Sequence, residues 1–248
     1  MGKNRVDAGS GRRAGVVRKQ QRKKSLTPFY VALGVVGAIG AGLLIWKTGQ
    51  DNGETVMAEG SPSQAQGYLY GDPNAPVQIA EFADFECPAC GQFATITEPD
   101  VRKRIVDAGL ANIRFYDFPL PMHRNSMAAS TAAACAADQN KFWEMHDRLF
   151  LGQPDWSTQS SSNPKSIFRN YARELALNVD TWESCYDGRK HDARILGNLA
   201  EGKRLGVNST PTFMFGRKIV RGALPYDEFK AEVDSAIGAV RQGGSPAR

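Results

Sequence analysis

The chain contains no second Cys-x-x-Cys beyond residues 87–90, and no His-x3-His pair. A structural zinc site needs four thiolate or imidazole ligands at matched spacing, so the single Cys-Pro-Ala-Cys is not read as half of one, and no metal is expected. No internal repeat is visible, which sets aside solenoid and array architectures. Charge is missing altogether from Pro28 to Trp46, a run of nineteen residues. Bulky apolar residues are few in residues 1–27, which leaves that stretch nothing to build a core from, and disorder is expected there.

What is present divides into two unlike parts under the net charge of +5. Residues 1–27 carry nine Lys/Arg against Asp7 alone, whereas residues 48–248 hold 21 Lys/Arg against 25 Asp/Glu. The larger part is mildly acidic, so the overall basicity is no nucleic-acid signal. The basic tail instead orients the uncharged run that follows it. At helical rise, residues 28–46 span about 28 Å, close to the hydrocarbon thickness of a bilayer. The Lys/Arg excess on the N-terminal side puts residues 1–27 in the cytoplasm and the rest outside, held at the cell membrane by one transmembrane anchor. The rival reading is a cleaved signal peptide, but its candidate site, Val56-Met57-Ala58, lies well beyond the apolar run. Residues 47–66, rich in Gly, Ser, Gln and Ala, read as a flexible linker.

A folded domain is expected over residues 67–243. Tyr68-Leu69-Tyr70 and the mostly apolar residues 77–85 are strand candidates, and Cys87-Pro88-Ala89-Cys90 follows at once. A helix then begins, is interrupted at Pro99 and is carried on to Gly109. Residues 113–118 alternate like a strand. The stretch 125–151 is first alanine-rich and then amphipathic, and further helices follow, one of them capped by Asp180. Two short strands around Gly216-Arg217 and a helix over 226–240 close the domain. The pattern is α/β, with helices inserted at about 120–205.

Two cysteines three apart suit redox chemistry when the first sits at a helix start. Unpaired backbone N–H groups and the helix dipole there favour a thiolate. Proline at the next position has no N–H to lose. Cys87 is thus the expected nucleophile and Cys90, one turn in, the resolving thiol. Thr210-Pro211-Thr212 opens a new strand far down the chain, where a proline is out of place unless it presents backbone to a ligand. The plainer alternative is an ordinary turn.

Taken together, these pieces resemble the DsbA family of disulfide oxidoreductases, thioredoxin-like folds with an inserted helical subdomain. The matching stretches are EFADFECPAC at 81–90, FPLPMH at 118–123, the alanine-rich helix through Cys135, KFWEMHDRLF at 141–150 and GVNSTPTFMFG at 206–216. The resemblance implies that Cys87 and Cys90 are the catalytic pair and that Pro211 is cis. It also implies that Thr210, Pro211, Pro88 and Ala89 bind the substrate peptide, and that no cofactor is needed. Glu81, in an otherwise apolar strand, should have a raised pKa, and proton exchange with Cys90 is its expected role; a carboxylate reaching solvent is the alternative. The family's best-known members carry histidine where this chain has Ala89, so their redox potential does not transfer.

Cys135 and Cys185 are read as a structural disulfide, with an electron-relay pair or two free thiols as alternatives. His123 and His146 are read as helix-start and packing residues. The expected function is an extracytoplasmic oxidase that donates its Cys87–Cys90 disulfide to exported proteins carrying thiols. A membrane partner of the DsbB or VKOR type would reoxidise it, and the chain is expected to be a monomer. A reductase or isomerase is the alternative in the same class; a metal- or peptide-binding module is the alternative outside it.

Overall fold

The computed structural model describes residues 64–242. The expected basic tail, the anchor and all but the end of the linker lie outside that range. Among the described residues, no helix is long and apolar enough to cross a membrane.

Five strands form one sheet in the order β1-β3-β2-β4-β5: β1 (Tyr68–Tyr70), β2 (Val77–Ala83), β3 (Ala111–Asp117), β4 (Thr212–Phe215) and β5 (Lys218–Arg221). The central strand β2 runs parallel to β3 and antiparallel to β4. The parallel β2–β3 pair needs a crossover. Helix α1, over residues 88–106, supplies it. Between β3 and β4 lie α2 (Ser126–Ala137), α3 (Phe142–Leu151), α4 (Gln153–Trp156), α5 (Lys165–Glu174), α6 (Val179–Asp187) and α7 (Asp192–Arg204), and α8 (Tyr226–Arg241) ends the fold. This is a thioredoxin-like α/β architecture with a helical insertion between β3 and β4.

Alternation along β2 decides what covers each face. Val77 and Ile79 pack with Phe93, Val101 and Ile105 of α1 and Phe229 and Val233 of α8. Phe82 turns the other way, onto Leu199 of α7 and Phe118. The inserted helices share a third cluster with the active-site end of the sheet, joining Phe85, Cys87 and Cys90 to the buried alanines of α2. Alanine lets neighbours approach α2 closely, so that the Trp182 indole N–H reaches the carbonyl of Ala132 at 3.1 Å. Cys135 of α2 and Cys185 of α6 are bonded, with Cα atoms 5.8 Å apart.

Two local details differ from expectation. Pro99 does not break the helix. Wider π turns at Phe93–Thr97 and Arg102–Val106 flank the regular segment Glu98–Val101, and Pro99 occupies the start of that segment. A proline N–H is not required there. The cap of α6 is Asn178 rather than Asp180: its side-chain oxygen accepts from the Thr181 amide at 2.9 Å. Asp180 sits inside the first turn, where its charge still suits the helix dipole.

Candidate active site

Cys87 occupies the N-cap of α1 in an extended conformation, φ −70° and ψ 123°, with Pro88 at the first helical position. Its amide donates to the Asp84 carbonyl at 3.0 Å, and its own carbonyl receives the Gly91 amide at 3.0 Å. The sulfur therefore faces the open helix end. Its pKa is lowered to about 6, first by hydrogen bonding with Cys90, then by Thr210 and the amides of Cys90 and Ala89, all against the opposing effect of burial. Cys90 goes the other way: burial, more than the neighbouring Cys87, pushes its thiol well above the ordinary range. Pro88 is exposed and Ala89 half-buried, so the motif presents its middle to the outside.

The Thr210–Pro211 peptide bond is cis. Its loop closes over the cysteine pair, with the Cys87 thiol 3.4 Å from the Thr210 carbonyl oxygen. The Thr210 hydroxyl is buried and has no hydrogen-bond partner. Thr212 stands opposite Phe82 and Phe213 opposite Glu81, so the loop joins the sheet beside the strand that delivers the motif.

Glu81 is fully buried on β2, and its pKa is raised well above the carboxylate range by burial and by Glu98, with Arg102 opposing. One of its oxygens has no hydrogen-bond partner. The carboxylate that bears most on Cys90, however, is Asp84, three residues nearer the motif. Asp84 was not singled out from sequence, although an acid at the end of an apolar strand is itself a signal. Its Oδ1 accepts from the Glu86 amide at 2.8 Å and from the Ser126 hydroxyl. Its Oδ2 lies 2.8 Å from both the Leu120 amide and His123 Nδ1. Glu86 accepts from the amides of Asn125, at 2.7 Å, and Thr158.

Gln153 was also invisible to local pattern. Its side-chain amide donates to the carbonyls of Phe85 at 2.7 Å and Cys87 at 3.0 Å. Gly91 makes room for it, since a Cβ there would stand 2.9 Å from Gln153 Oε1. His146 sits among Phe85, Phe115, Trp143 and Phe150, beside Arg102 and Asp147. That is the packing position expected of it. His123, by contrast, is tied to the active-site turn through Asp84. Among the described residues, Cys135, Cys185 and His191 converge as metal ligands would, but the two cysteines are already spent in a disulfide.

Known proteins are similar to this chain. The family described as thioredoxin matches residues 63–235. The Na(+)/H(+) antiporter NhaA 3 of Salinispora tropica is 33% identical over 177 residues, which cover 70% of this chain and 25% of that protein. Disulfide bond formation protein D of Bacillus subtilis is 24% identical over 193 residues, 77% of this chain and 85% of that one. The chain thus spans about a quarter of the antiporter and most of the Bacillus protein. Among solved structures, oxidised BdbD of Bacillus subtilis aligns with a TM-score of 0.63 at 23% identity, over 74% of this chain and 98% of that one. The chain belongs to the thioredoxin family.

Proposed function

We propose that this DsbA-like thiol–disulfide oxidoreductase works as an oxidase, giving its Cys87–Cys90 disulfide to exported proteins. The observation that carries this reading is the split between the two thiols: Cys87 is lowered to about 6 while Cys90 is pushed up. A favoured Cys87 thiolate stabilises the dithiol form, so the disulfide is readily given away.

A substrate thiolate attacks Cys87 Sγ; the Cys87–Cys90 bond breaks, and its electron pair leaves on Cys90, which takes up a proton. The second substrate thiolate then attacks the substrate sulfur of the mixed disulfide, and Cys87 departs as thiolate. Two electrons pass from the substrate dithiol to the protein. The peptide lies extended along Thr210 and Pro211, against Pro88 and Ala89. Glu81 exchanges the proton of Cys90, a role supported by its burial one strand position from the Pro211 loop. Reoxidation falls to a quinone-coupled membrane partner of the DsbB or VKOR type. The uncharged run 28–46 behind a basic tail supports a single-pass anchor, with the catalytic domain outside the cytoplasm and acting as a monomer.

The deciding measurement is the reduction potential of the Cys87–Cys90 pair in the full chain, equilibrated with glutathione. A value near or above about −180 mV is expected of a disulfide donor. A value near about −270 mV would make the protein a reductant instead. Cys87→Ser addresses the remaining alternative, because a pure binding module would keep its activity and an oxidoreductase loses turnover.

A further inference from the structure

We propose that His123, held by Asp84 beneath the Cys-Pro-Ala-Cys turn, is a positioning residue that sets a positive charge against the Cys87 thiolate and so tunes how readily the pair gives up its disulfide. This rests on Cys87 being the nucleophile of the proposed oxidoreductase.

The geometry is a short covalent and hydrogen-bonded bridge. Asp84 touches the motif twice, through its carbonyl on the Cys87 amide at 3.0 Å and through Oδ1 on the Glu86 amide at 2.8 Å. Its other oxygen holds His123 Nδ1 at 2.8 Å. The backbone beneath the ring is held on both sides, because the His123 amide donates to Leu120 at 3.0 Å and its carbonyl accepts from Ser126 at 3.2 Å. Leu120 and Ser126 in turn donate to the same Asp84 carboxylate that holds the ring.

The surrounding charges favour an imidazolium. The groups whose fields reach the ring are Asp84, Cys87 and Glu86, all anionic when charged. Its pKa is raised, chiefly by the bond to Asp84, while partial burial opposes. Ala89, between the cysteines, brings no charge of its own. Cys90, Thr210 and the helix amides are the leading influences that lower the Cys87 thiol. The contribution proposed for His123 differs from theirs in being switchable, since it exists only while the ring is protonated.

Coupling between two titrating groups is reciprocal. The Cys87 thiolate exists in the dithiol form and is absent from the disulfide. His123 must therefore bind its proton more tightly when the pair is reduced, and take up a fraction of a proton on reduction. The test is an NMR titration of histidine-labelled full-length protein in both redox forms, with the His123 signal assigned by its loss in His123→Gln. The His123 midpoint is expected at higher pH in the reduced form, by about 0.5 unit or more. In His123→Gln the pH of half-maximal Cys87 alkylation should rise by the same amount. The equilibrium with glutathione should then move toward the disulfide about threefold.

The native-protein titration does not depend on how well the variant folds. Identical His123 midpoints in the two redox forms overturn the inference, provided Cys87 itself titrates low. A Cys87 that titrates as an ordinary thiol overturns both this inference and the oxidase reading beneath it.

Discussion

The carbonyl oxygen of Thr210 lies 3.4 Å from the sulfur of Cys87, at a sequence separation of 123 residues. That one approach joins the helix-start chemistry of the motif to the loop that presents a peptide. It also makes the reactivity of the cysteine depend on a residue remote in sequence.

Cys87 is expected to react with iodoacetamide with a midpoint near pH 6, since its thiol is lowered to about 6 by Cys90 and Thr210. Thr210→Val keeps the shape of the side chain and removes its hydroxyl. The alkylation midpoint should rise in that variant. An unmoved midpoint would assign the lowering to Cys90 and the helix amides alone.

Glu81→Gln removes a titrating group whose pKa is raised well above the usual range by burial and by Glu98. Binding of a peptide should survive, and so should release from the mixed disulfide by the second substrate thiolate. Formation of the mixed disulfide, in which Cys90 departs and takes up a proton, should slow about 100-fold near neutral pH, the low end of general acid–base contributions. Rapid-quench kinetics of the two steps would show it, and an unchanged rate of mixed-disulfide formation sinks the role given to Glu81.

The Cys135–Cys185 bond closes a 50-residue separation between α2 and α6. Replacing both cysteines by alanine should cost about 2–4 kcal/mol in denaturant unfolding. Turnover with a dithiol peptide, measured where the variant is still folded, should persist. A folded variant without turnover would instead make this pair an electron relay.

Asp117 ends β3 in full burial, and burial raises its carboxyl to about 6, although Ser130 and Asn198 bond to it. An unfolded aspartate titrates near about 3.9, so the folded state holds this proton more firmly. Its contribution therefore favours the fold at low pH and declines as pH rises from about 4 to about 6, after which it is level. Asp117→Asn should flatten the stability profile across that window and raise stability at pH 7 by about 2 kcal/mol. Denaturant midpoints at pH 4, 5, 6 and 7 would reveal it; a variant that keeps the wild-type slope would place the pH dependence elsewhere.

Much of this was readable along the chain, where the cause is local. Val77 and Ile79 alternate with polar or small neighbours, and β2 forms there. Pro88 after Cys87 marks a helix start. The cis state of Pro211 was implied by the family resemblance, since its local sequence fits an ordinary turn as well. What escaped notice depends on partners far away. The choice of Asn178 over Asp180 as a cap turns on a shift of two residues, which composition alone leaves open. Asp84 and His123 are 39 residues apart, and Gln153 is 66 residues from Cys87. No periodicity links such pairs; only the packing of the insertion against the end of the sheet brings them together.

Gln153 belongs to the inserted helices, yet its amide secures the carbonyls of Phe85 and of Cys87 itself. Scaffold and appendage consequently do not separate as modules. Trimming the insertion, or grafting a foreign one in its place, would strip a support from the residue that carries the reacting sulfur. In an engineered chimera of this fold, the seam would therefore run through the catalytic turn, and redox poise would travel with whichever helices were chosen.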